Sequence, residues 1–178
     1  ECYYYGDGIE ENNKEAVKWY RKAAEQGYAQ AQCTLGDCCL KGEGVEKDEK
    51  KAAEWYRKAA EQNDAEAQYK LGQCYDDAVG VDWDMEKAAE WYKKSAENGN
   101  RNAQYQLGRC YYFGNGVDEN ETEAVKWYKR AAERDHAEAQ YNLGECYYYG
   151  WGVQKNEGEA VKWYEKAAEN YNADAQYE

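Results

Sequence analysis

Proline is absent from the sequence, and a single phenylalanine accompanies 20 tyrosines and 7 tryptophans. Without proline, no residue interrupts a helix from within, and the abundant alanine, glutamate and lysine favour long helical stretches. Tyrosine supplies apolar bulk with a polar tip, which suits helix surfaces at the boundary with water. The composition therefore predicts an all-α protein in which tyrosine supplies much of the aromatic packing.

Long apolar runs and an excess of positive charge are also missing. No apolar stretch approaches the roughly 20 residues that a helix needs to cross a bilayer. The 23 basic and 36 acidic side chains give a formal net charge of -13, which repels the phosphates of nucleic acids and anionic membranes. We therefore expect no nucleic-acid partner and no membrane insertion. The chain starts at Glu1 without a methionine, so a removed signal peptide and fused domains of a longer chain both stay open.

Two dipeptides recur every 36 residues without insertion or deletion. Leu-Gly begins at Leu35, Leu71, Leu107 and Leu143, and Trp-Tyr begins at Trp19, Trp55, Trp91, Trp127 and Trp163. A period of this length indicates a solenoid or array, in which each unit buries its apolar face only against its neighbours. We predict one domain over residues 1–178, made of partial repeat 1–28, repeats 29–64, 65–100, 101–136 and 137–172, and partial repeat 173–178.

Each repeat is predicted to contain two helices joined by a glycine loop. In the last complete repeat these helices cover 137–149 and 157–169, and the second places its alanines and Tyr164 on one face. The loops contain Gly-x-Gly, whose glycines allow a positive φ after a helix end. The loop glycines are Gly6/Gly8, Gly42/Gly44, Gly114/Gly116 and Gly150/Gly152, and the predicted N-caps of the second helices are Asn12, Asp48, Asp84, Asn120 and Asn156.

The pattern A-x-A-Q-Y-x-L-G-x-C-Y-x-x-G-x-G-V, followed by K-A-x-x-W-Y-x-K-A-A-E, resembles the Sel-1-like repeat, a relative of the tetratricopeptide repeat. The resemblance covers essentially the whole chain and recurs about five times. It implies a right-handed α-α superhelical solenoid of helix–loop–helix repeats whose concave face binds partners, and it implies an adaptor role. A cysteine-rich branch of the family joins successive helices by disulfides, but this chain has residues such as Ala60 and Gln68 at the matching positions.

Five of the seven cysteines share one repeat position, and they are Cys2, Cys38, Cys74, Cys110 and Cys146. Equivalent residues of stacked helices lie about 8–10 Å apart, whereas a disulfide needs Cα atoms within about 7 Å. No Cys-x-x-Cys pair exists and there is one histidine, so a closed zinc site has no support. We predict buried, unpaired thiols. These favour the cytoplasm, while a secreted or lumenal location stays open.

Two further features invite a chemical interpretation. Asp76, Asp77, Asp82 and Asp84 form an acidic loop, but their spacing lacks the alternating ligands of an EF-hand, so we expect a solvated loop rather than a calcium site. His136 lies just before a first helix without a neighbouring nucleophile, so we expect a turn residue rather than a general base. We predict no catalytic residue, metal or cofactor.

The groove of the tetratricopeptide relatives is lined by first-helix positions that do not pack inside the repeat. When this chain is aligned with those relatives through its Leu-Gly pairs, the equivalent positions predict a partner-binding groove. They are Glu66, Tyr69, Gln73, Asp76 and Asp77; Asn102, Tyr105, Arg109, Tyr112 and Phe113; and Glu138, Tyr141, Glu145, Tyr148 and Tyr149. The equivalents in an earlier repeat are Gln30, Cys33, Asp37, Leu40 and Lys41. Rigid aromatic side chains are good anchors for a bound peptide.

We therefore predict a non-catalytic scaffold or adaptor that binds a peptide or protein with apolar and basic side chains. A hydrolase-type enzyme is one alternative, and it would need a pocket of acids without basic neighbours. A sugar or small-ligand receptor is another, and it would need exposed, parallel tyrosine faces in the groove. Terminal repeats normally carry polar caps and these do not, so we expect either a longer protein with fused domains or end-to-end self-association of the chain, and an engineered array stays open.

Overall fold

The computed structural model describes the backbone of residues 12–174 and the side chains of residues 12–171. All regular secondary structure in this range is helical. The helices are α1 (Asn13–Glu25), α2 (Ala29–Lys41), α3 (Glu49–Ala60), α4 (Ala65–Asp76), α5 (Met85–Glu97), α6 (Arg101–Phe113), α7 (Glu121–Ala132), α8 (Ala137–Tyr149) and α9 (Glu157–Asp174). This confirms the predicted all-α repeat class. The predictions for Cys2 and the Gly6/Gly8 loop lie outside the described residues.

Contacts between Cα atoms divide the chain into two units, residues 1–84 and 85–178. In the first unit, α1 packs on α2, α2 on α3, and α3 on α4. In the second unit the same neighbour-to-neighbour packing joins α5 through α9. Below, α2, α4, α6 and α8 are the first helices of their repeats, and α1, α3, α5, α7 and α9 are the second helices.

The helix boundaries follow the N-cap residues and loop glycines that the sequence predicts. The side chains of Asn12, Asp48, Asn120 and Asn156 accept hydrogen bonds of 3.0–3.1 Å from the backbone N–H three residues later. Helix α8 has its predicted bounds, but α9 continues to Asp174 instead of ending at Glu169. The earlier second helices end before Gly27, Asn63, Gly99 or Asp135, all with positive φ. Tyr171 stands at the corresponding position, and the left-handed region is unfavourable for tyrosine.

The core of each repeat combines leucine, alanine and one tyrosine. The largest fully buried side chains include Tyr56, Tyr92 and Tyr128, together with Leu35, Leu71, Leu107 and Leu143. The tyrosines belong to the Trp-Tyr pairs of the second helices, and the leucines to the Leu-Gly pairs of the first helices. The two repeated dipeptides therefore mark the packing contact between the two helices of a repeat.

A buried glutamine closes the end of each preceding second helix. The Nε2 atoms of Gln32, Gln68, Gln104 and Gln140 donate hydrogen bonds of 3.0–3.2 Å to the carbonyl oxygens of Ala24, Ala60, Ala96 and Ala132. The last carbonyls of a helix have no partner within it, so a side-chain donor satisfies them. This bond explains why a polar residue recurs in the core at the A-x-A-Q motif.

The six cysteines in the described part of the chain are buried thiols outside any disulfide, which confirms the prediction for them. Burial raises the pKa of the Cys33 and Cys146 thiols to about 12. The corresponding pKa of Cys38 and Cys74 rises to about 11. A thiol with so high a pKa carries almost no thiolate at neutral pH, so these cysteines serve as small apolar core residues.

Neither a membrane-spanning helix nor a metal-binding cluster occurs in residues 12–174. Among them, no helix combines the length and apolar character that a membrane crossing requires. In the same range, no group of three or more histidine, cysteine, aspartate or glutamate side chains is placed to hold a metal ion.

Candidate functional site

In the first unit, some of the predicted groove residues meet at a pocket of about 330 Å³ between α2 and α4. Glu66, Gln73 and Asp77 line it. Tyr69 and Asp76 are half-buried and are not among the lining residues. From the earlier repeat, the pocket takes in Asp37, Leu40 and Lys41. The prediction that Cys33 belongs to this groove is wrong, because that side chain is only 2% exposed and packs in the core.

A charged network occupies the wall of this pocket. The Nζ atom of Lys70 lies 2.6 and 2.8 Å from the two carboxylate oxygens of Asp37, and the Tyr56 hydroxyl donates to the same carboxylate at 2.7 Å. Burial alone would lower the pKa of Lys70, but the hydrogen bond and the charge of Asp37 raise it. Asp37 and Glu66, which lies 3.7 Å from the same nitrogen, therefore share the Lys70 ammonium, unlike the isolated carboxylates of an acid–base catalyst.

In the second unit, five rings from the ends of α6 and α8 and from the loop after α8 form one group. We call this group the aromatic cluster, and its members are Tyr112, Phe113, Tyr148, Tyr149 and Trp151. Phe113 and Tyr148 stand edge-on to Tyr112 and Tyr149, each at 4.9 Å between ring centroids. Trp151 stacks on Tyr149 at 4.5 Å and lies 5.8 Å from Tyr112, and it joins the two pairs.

Three rings of the aromatic cluster are exposed to solvent, and charged side chains act on two of its members. Phe113, Tyr148 and Tyr149 are 57%, 44% and 56% exposed. Burial raises the pKa of Tyr112, and nearby negative charges, including those of Glu121 and Glu145, raise it further. The cluster therefore presents exposed ring surface with carboxylate charges acting on Tyr112 and the Lys155 ammonium 5.4 Å from the Tyr148 ring centroid.

Three other predicted residues, Tyr105, Glu138 and Tyr141, line a cleft of about 680 Å³ beside α9. We call it the α9 cleft, and its other lining residues are Ala137, Asn142, Tyr164, Ala167, Ala168 and Tyr171. Ala168 is exposed, whereas the alanines at the same repeat position, Ala24, Ala60, Ala96 and Ala132, are buried. Ala132 belongs to one core cluster with Leu143 of α8. The α9 cleft is therefore the repeat-packing surface of α9, uncovered among the described residues.

The remaining predicted residues lie apart from these three places. Arg109 is exposed, with its guanidinium 6.0 Å from the Tyr105 ring centroid and 3.2 Å from Gln106 Oε1. Glu145 is half-buried and acts on Tyr112 through its charge. Asn102 is half-buried and lines neither the α9 cleft nor the pocket between α2 and α4.

Two residues of these sites, Lys70 and Trp151, were not predicted from the sequence. Lys70 occupies a position held by threonine, glutamine or asparagine in other repeats, and the transferred groove positions do not include it. Trp151 stands between two loop glycines, where the other repeats have Glu43, Val79 and Asn115. This variation within an otherwise repeated loop is the sequence feature that could have identified Trp151 as a site residue.

His136 has the structural role expected from its position. Its Nδ1 atom accepts a hydrogen bond of 3.3 Å from the backbone N–H of Ala139, so His136 is the N-cap of α8. Its ring also lies 4.6 Å from the Tyr105 ring. These contacts fix the imidazole at a helix start, as expected for a turn residue.

The chain matches a known family over nearly its full length. The family model described as "Sel1 repeat" matches residues 1–28, 29–64, 65–100, 101–136 and 137–172. The matches recur with the 36-residue period of the Leu-Gly and Trp-Tyr pairs. No curated protein sequence matches the chain.

Solved structures with the same fold come from several bacteria. The chain is 36% identical to the protective antigen c5321 of uropathogenic Escherichia coli, with a TM-score of 0.91 over 94% of this chain and 36% of that one. It is 40% identical to a Sel1 repeat protein from Oxalobacter formigenes, with a TM-score of 0.89 over 95% and 70% of the two chains. The immunity protein Pa5087 of Pseudomonas aeruginosa is 26% identical, with a TM-score of 0.58 over 88% and 58%. The chain thus spans about a third of the length of the E. coli antigen.

Proposed function

The chain belongs to the Sel1 repeat family, and from this premise we propose that it is a non-catalytic scaffold that binds a peptide or protein at the aromatic cluster. Proteins of this family are generally protein–protein interaction scaffolds. The proposal extends that general role to a particular surface of this chain.

The observation that carries the proposal is the exposed aromatic cluster at variable repeat positions. In the repeats that begin at residues 29 and 65, the positions of Tyr112, Phe113, Tyr149 and Trp151 are occupied by Leu40, Lys41, Asp77 and Val79. The repeat fold therefore does not need aromatic residues there. Exposed tyrosine and tryptophan lose little rotamer entropy when they bury a large contact area, which makes them effective anchors at interfaces.

The charge of the chain points to the character of the partner. A formal net charge of -13 attracts positively charged partners and repels acidic ones. The exposed rings favour apolar side chains. A segment with both basic and apolar residues therefore fits the surface. The likeness to an immunity protein of P. aeruginosa supports a protein partner rather than a small metabolite.

The two alternative functions have less support. An acid–base hydrolase needs carboxylates without basic neighbours, whereas Asp37 is paired with Lys70. A sugar receptor needs flat, parallel ring faces, whereas the Tyr141 and Tyr164 rings in the α9 cleft are tilted by 48°. Neither pocket therefore supports its reaction or ligand as well as the aromatic cluster supports a peptide.

A selection from random peptides tests the proposal without knowledge of the natural partner. Phage-displayed dodecapeptides are enriched on the immobilised protein, and the selected peptides are measured by titration calorimetry. We expect the double variant Tyr112→Leu/Tyr149→Ala to lose at least ten-fold in affinity for them. Trp83→Val, which changes a 65% exposed tryptophan in the first unit, is the matched control and should keep full affinity.

The same measurement has two outcomes that contradict the proposal. One is a selection that enriches no peptide above the background of the empty support. The other is a set of peptides that bind the double variant as tightly as the unmodified protein. Circular dichroism of both variants confirms that each remains as helical as the parent, so a loss of affinity reports on the surface.

A further inference from the structure

We infer that the aromatic cluster is built to hold an arginine side chain of the bound segment. This inference rests on the proposed function and specifies its anchor. It follows from the arrangement of the five rings, from the carboxylates beside them, and from the way this chain already places cations on its own aromatic rings.

The ring geometry offers both faces and edges to an incoming group. Tyr148 and Tyr149 meet at 89°, and Tyr112 and Phe113 meet at 85°. In each such pair, the face of one ring lies beside the edge of the other, which forms a right-angled corner. A planar guanidinium can stack on one wall of the corner while its edge remains free for hydrogen bonds.

The electrostatic surroundings favour a cation at this place. The face of an aromatic ring carries negative charge density and attracts an ammonium or guanidinium group within about 6 Å. The carboxylates of Glu119, Glu121 and Glu145 act on Tyr112, whose pKa is raised by burial first and by these charges in addition. Aromatic faces and carboxylates together select positive charge more strongly than either group alone.

The chain itself stacks cations on aromatic rings repeatedly. Each Trp-Tyr tryptophan has a cation 4.0–4.4 Å from its ring centroid, and the pairs are Trp19–Lys22, Trp55–Lys58, Trp91–Lys94, Trp127–Arg130 and Trp163–Lys166. At the aromatic cluster, Lys155 lies 5.4 Å from the Tyr148 centroid, but its charge is compensated by Glu157 at 3.0 Å. The exposed parts of the Phe113 and Tyr149 rings can contact a group from a bound partner.

Arginine fits this surface better than lysine. Its guanidinium is planar, weakly hydrated and able to stack on a ring while it donates to a carboxylate. The lysine ammonium is a compact, strongly hydrated charge without a flat face. The cluster provides the ring faces, and Glu145 supplies a carboxylate whose charge acts on Tyr112. The equivalent positions of the other complete repeats are occupied by Asp37, Gln73 and Arg109.

Fluorescence anisotropy with three labelled nonapeptides tests the inference. The probes are (Arg-Leu-Ala)₃, (Lys-Leu-Ala)₃ and the same sequence with citrulline, which keeps the shape of arginine without its charge. We expect the arginine probe to bind at least three-fold more tightly than the lysine probe, and the citrulline probe to bind least. Trp151→Val and Tyr149→Ala should each weaken the arginine probe about five- to ten-fold, the size of one cation–π contact.

Two matched variants separate the site from general attraction to an acidic chain. Trp83→Val removes an exposed tryptophan outside the cluster and should leave binding of the arginine probe unchanged. Glu145→Gln introduces the neutral residue that the repeat of Gln73 has at this position, and it should weaken the arginine probe about three-fold, with little effect on the citrulline probe. Thermal melts of all four variants show whether the fold is retained.

Failure of the inference is distinguishable from failure of the proposed function. Equal affinities of the arginine and lysine probes, or equal affinities of the parent and the ring variants, would overturn the arginine site. If the selected dodecapeptides then still depend on Tyr112 and Tyr149 but contain no arginine, the proposed function stands with another anchor. If the affinity of no peptide depends on the aromatic cluster, the arginine site and the proposed function are both refuted.

Discussion

The ring of Tyr128 lies so close to Gly108 that a Cβ atom on Gly108 would stand 2.6 Å from the ring's Cδ1 atom. The same close approach joins Gly36 to Tyr56 and Gly144 to Tyr164, at 2.5 and 2.7 Å. The glycine of each Leu-Gly pair thus makes room on the first helix for the tyrosine of the Trp-Tyr pair. Two dipeptides that are 20 residues apart in sequence are the two sides of one contact.

We predict that Gly108→Ala destabilises the protein by about 1–3 kcal/mol, because an extra methyl group overpacks the contact with Tyr128. Alanine is the better helix former by about 1 kcal/mol, so the clash must exceed that gain. Urea unfolding measures the difference. Gly158→Ala is the matched control in α9, where the nearest atom to a new Cβ is Asn156 Oδ1 at 3.4 Å. It should leave stability unchanged or raise it, and a stable Gly108→Ala variant would refute the packing argument.

The second loop glycine is required for a different reason. A Cβ atom on Gly80, whose φ is +71°, would lie 2.0 Å from the carbonyl oxygen of Glu49. We predict that Gly80→Ala costs more than about 2 kcal/mol, because both the clash with rigid backbone and the positive φ oppose a side chain. The free energy of unfolding in urea is the measurement.

The first loop position tolerates a side chain and supplies the comparison. Ala78 stands there with φ +57°, although alanine is strained in the left-handed region. We predict that Ala78→Gly raises the free energy of unfolding by about 0.5 kcal/mol, because relief of the strain exceeds the added entropy of the unfolded chain. A loss of stability in Ala78→Gly would show that its backbone is not strained.

The fold was predictable from sequence because every level of the pattern agreed. The period, the caps and the glycine loops all indicated helical hairpins, and α8 has the predicted bounds. The end of α9 was not predictable from the repeat pattern alone. The helix continues because position 171 holds tyrosine, whereas the earlier repeats have a residue that tolerates a positive φ there. The repeat pattern does not show that this helix-terminating residue is missing.

The candidate site was predictable only in part, because a register transferred from relatives identifies helix positions and not loops. Tyr112, Phe113, Tyr148 and Tyr149 were included in the predicted groove because of their places on the first helices. Trp151, which joins their two pairs, lies in the loop and was missed. The burial of Cys33 was also misjudged, because the pattern does not show which side of a first helix faces its neighbours.

A buried oxygen without a partner gives a fourth prediction. In two repeats a side chain thirty residues later donates to the buried glutamine: Gln62 to Gln32 at 2.7 Å, and Asn170 to Gln140 at 2.9 Å. Within the described residues, the Oε1 atom of the equivalent Gln104 is buried and accepts no hydrogen bond. Position 134, thirty residues after Gln104, is occupied by an exposed arginine.

We predict that Arg134→Gln stabilises the protein by about 1 kcal/mol, because it supplies the missing donor as Gln62 does. The control is Gln62→Ala, which should lose about the same amount by leaving Gln32 Oε1 unpaired. Thermal or urea unfolding of the two variants measures both effects. A destabilised Arg134→Gln variant would show that the glutamine side chain does not reach Gln104.

The buried thiols predict a loss of stability at alkaline pH. Their ordinary pKa is 9.0, and burial raises the pKa of Cys33 and Cys146 to about 12. Below pH 9 the thiols are protonated in both the folded and the unfolded chain, so their contribution to stability is fully present. As pH rises from about 9 towards 12, only the unfolded chain releases these protons, and the free energy of unfolding falls. Each thiol contributes a slope of up to about 1.4 kcal/mol per pH unit.

Urea unfolding at pH 7.5, 9 and 10.5 in the presence of a reducing agent measures this fall. Cys146→Ala keeps a small apolar residue at the site but removes one ionisable group, so its stability should decline less steeply between pH 9 and 10.5. The control is Gln154→Ala, which changes an exposed residue that carries no ionisable group, and it should leave the slope of the parent unchanged. Parallel slopes for Cys146→Ala and the parent would mean that this thiol ionises as readily in the folded chain as in the unfolded one, contrary to its burial.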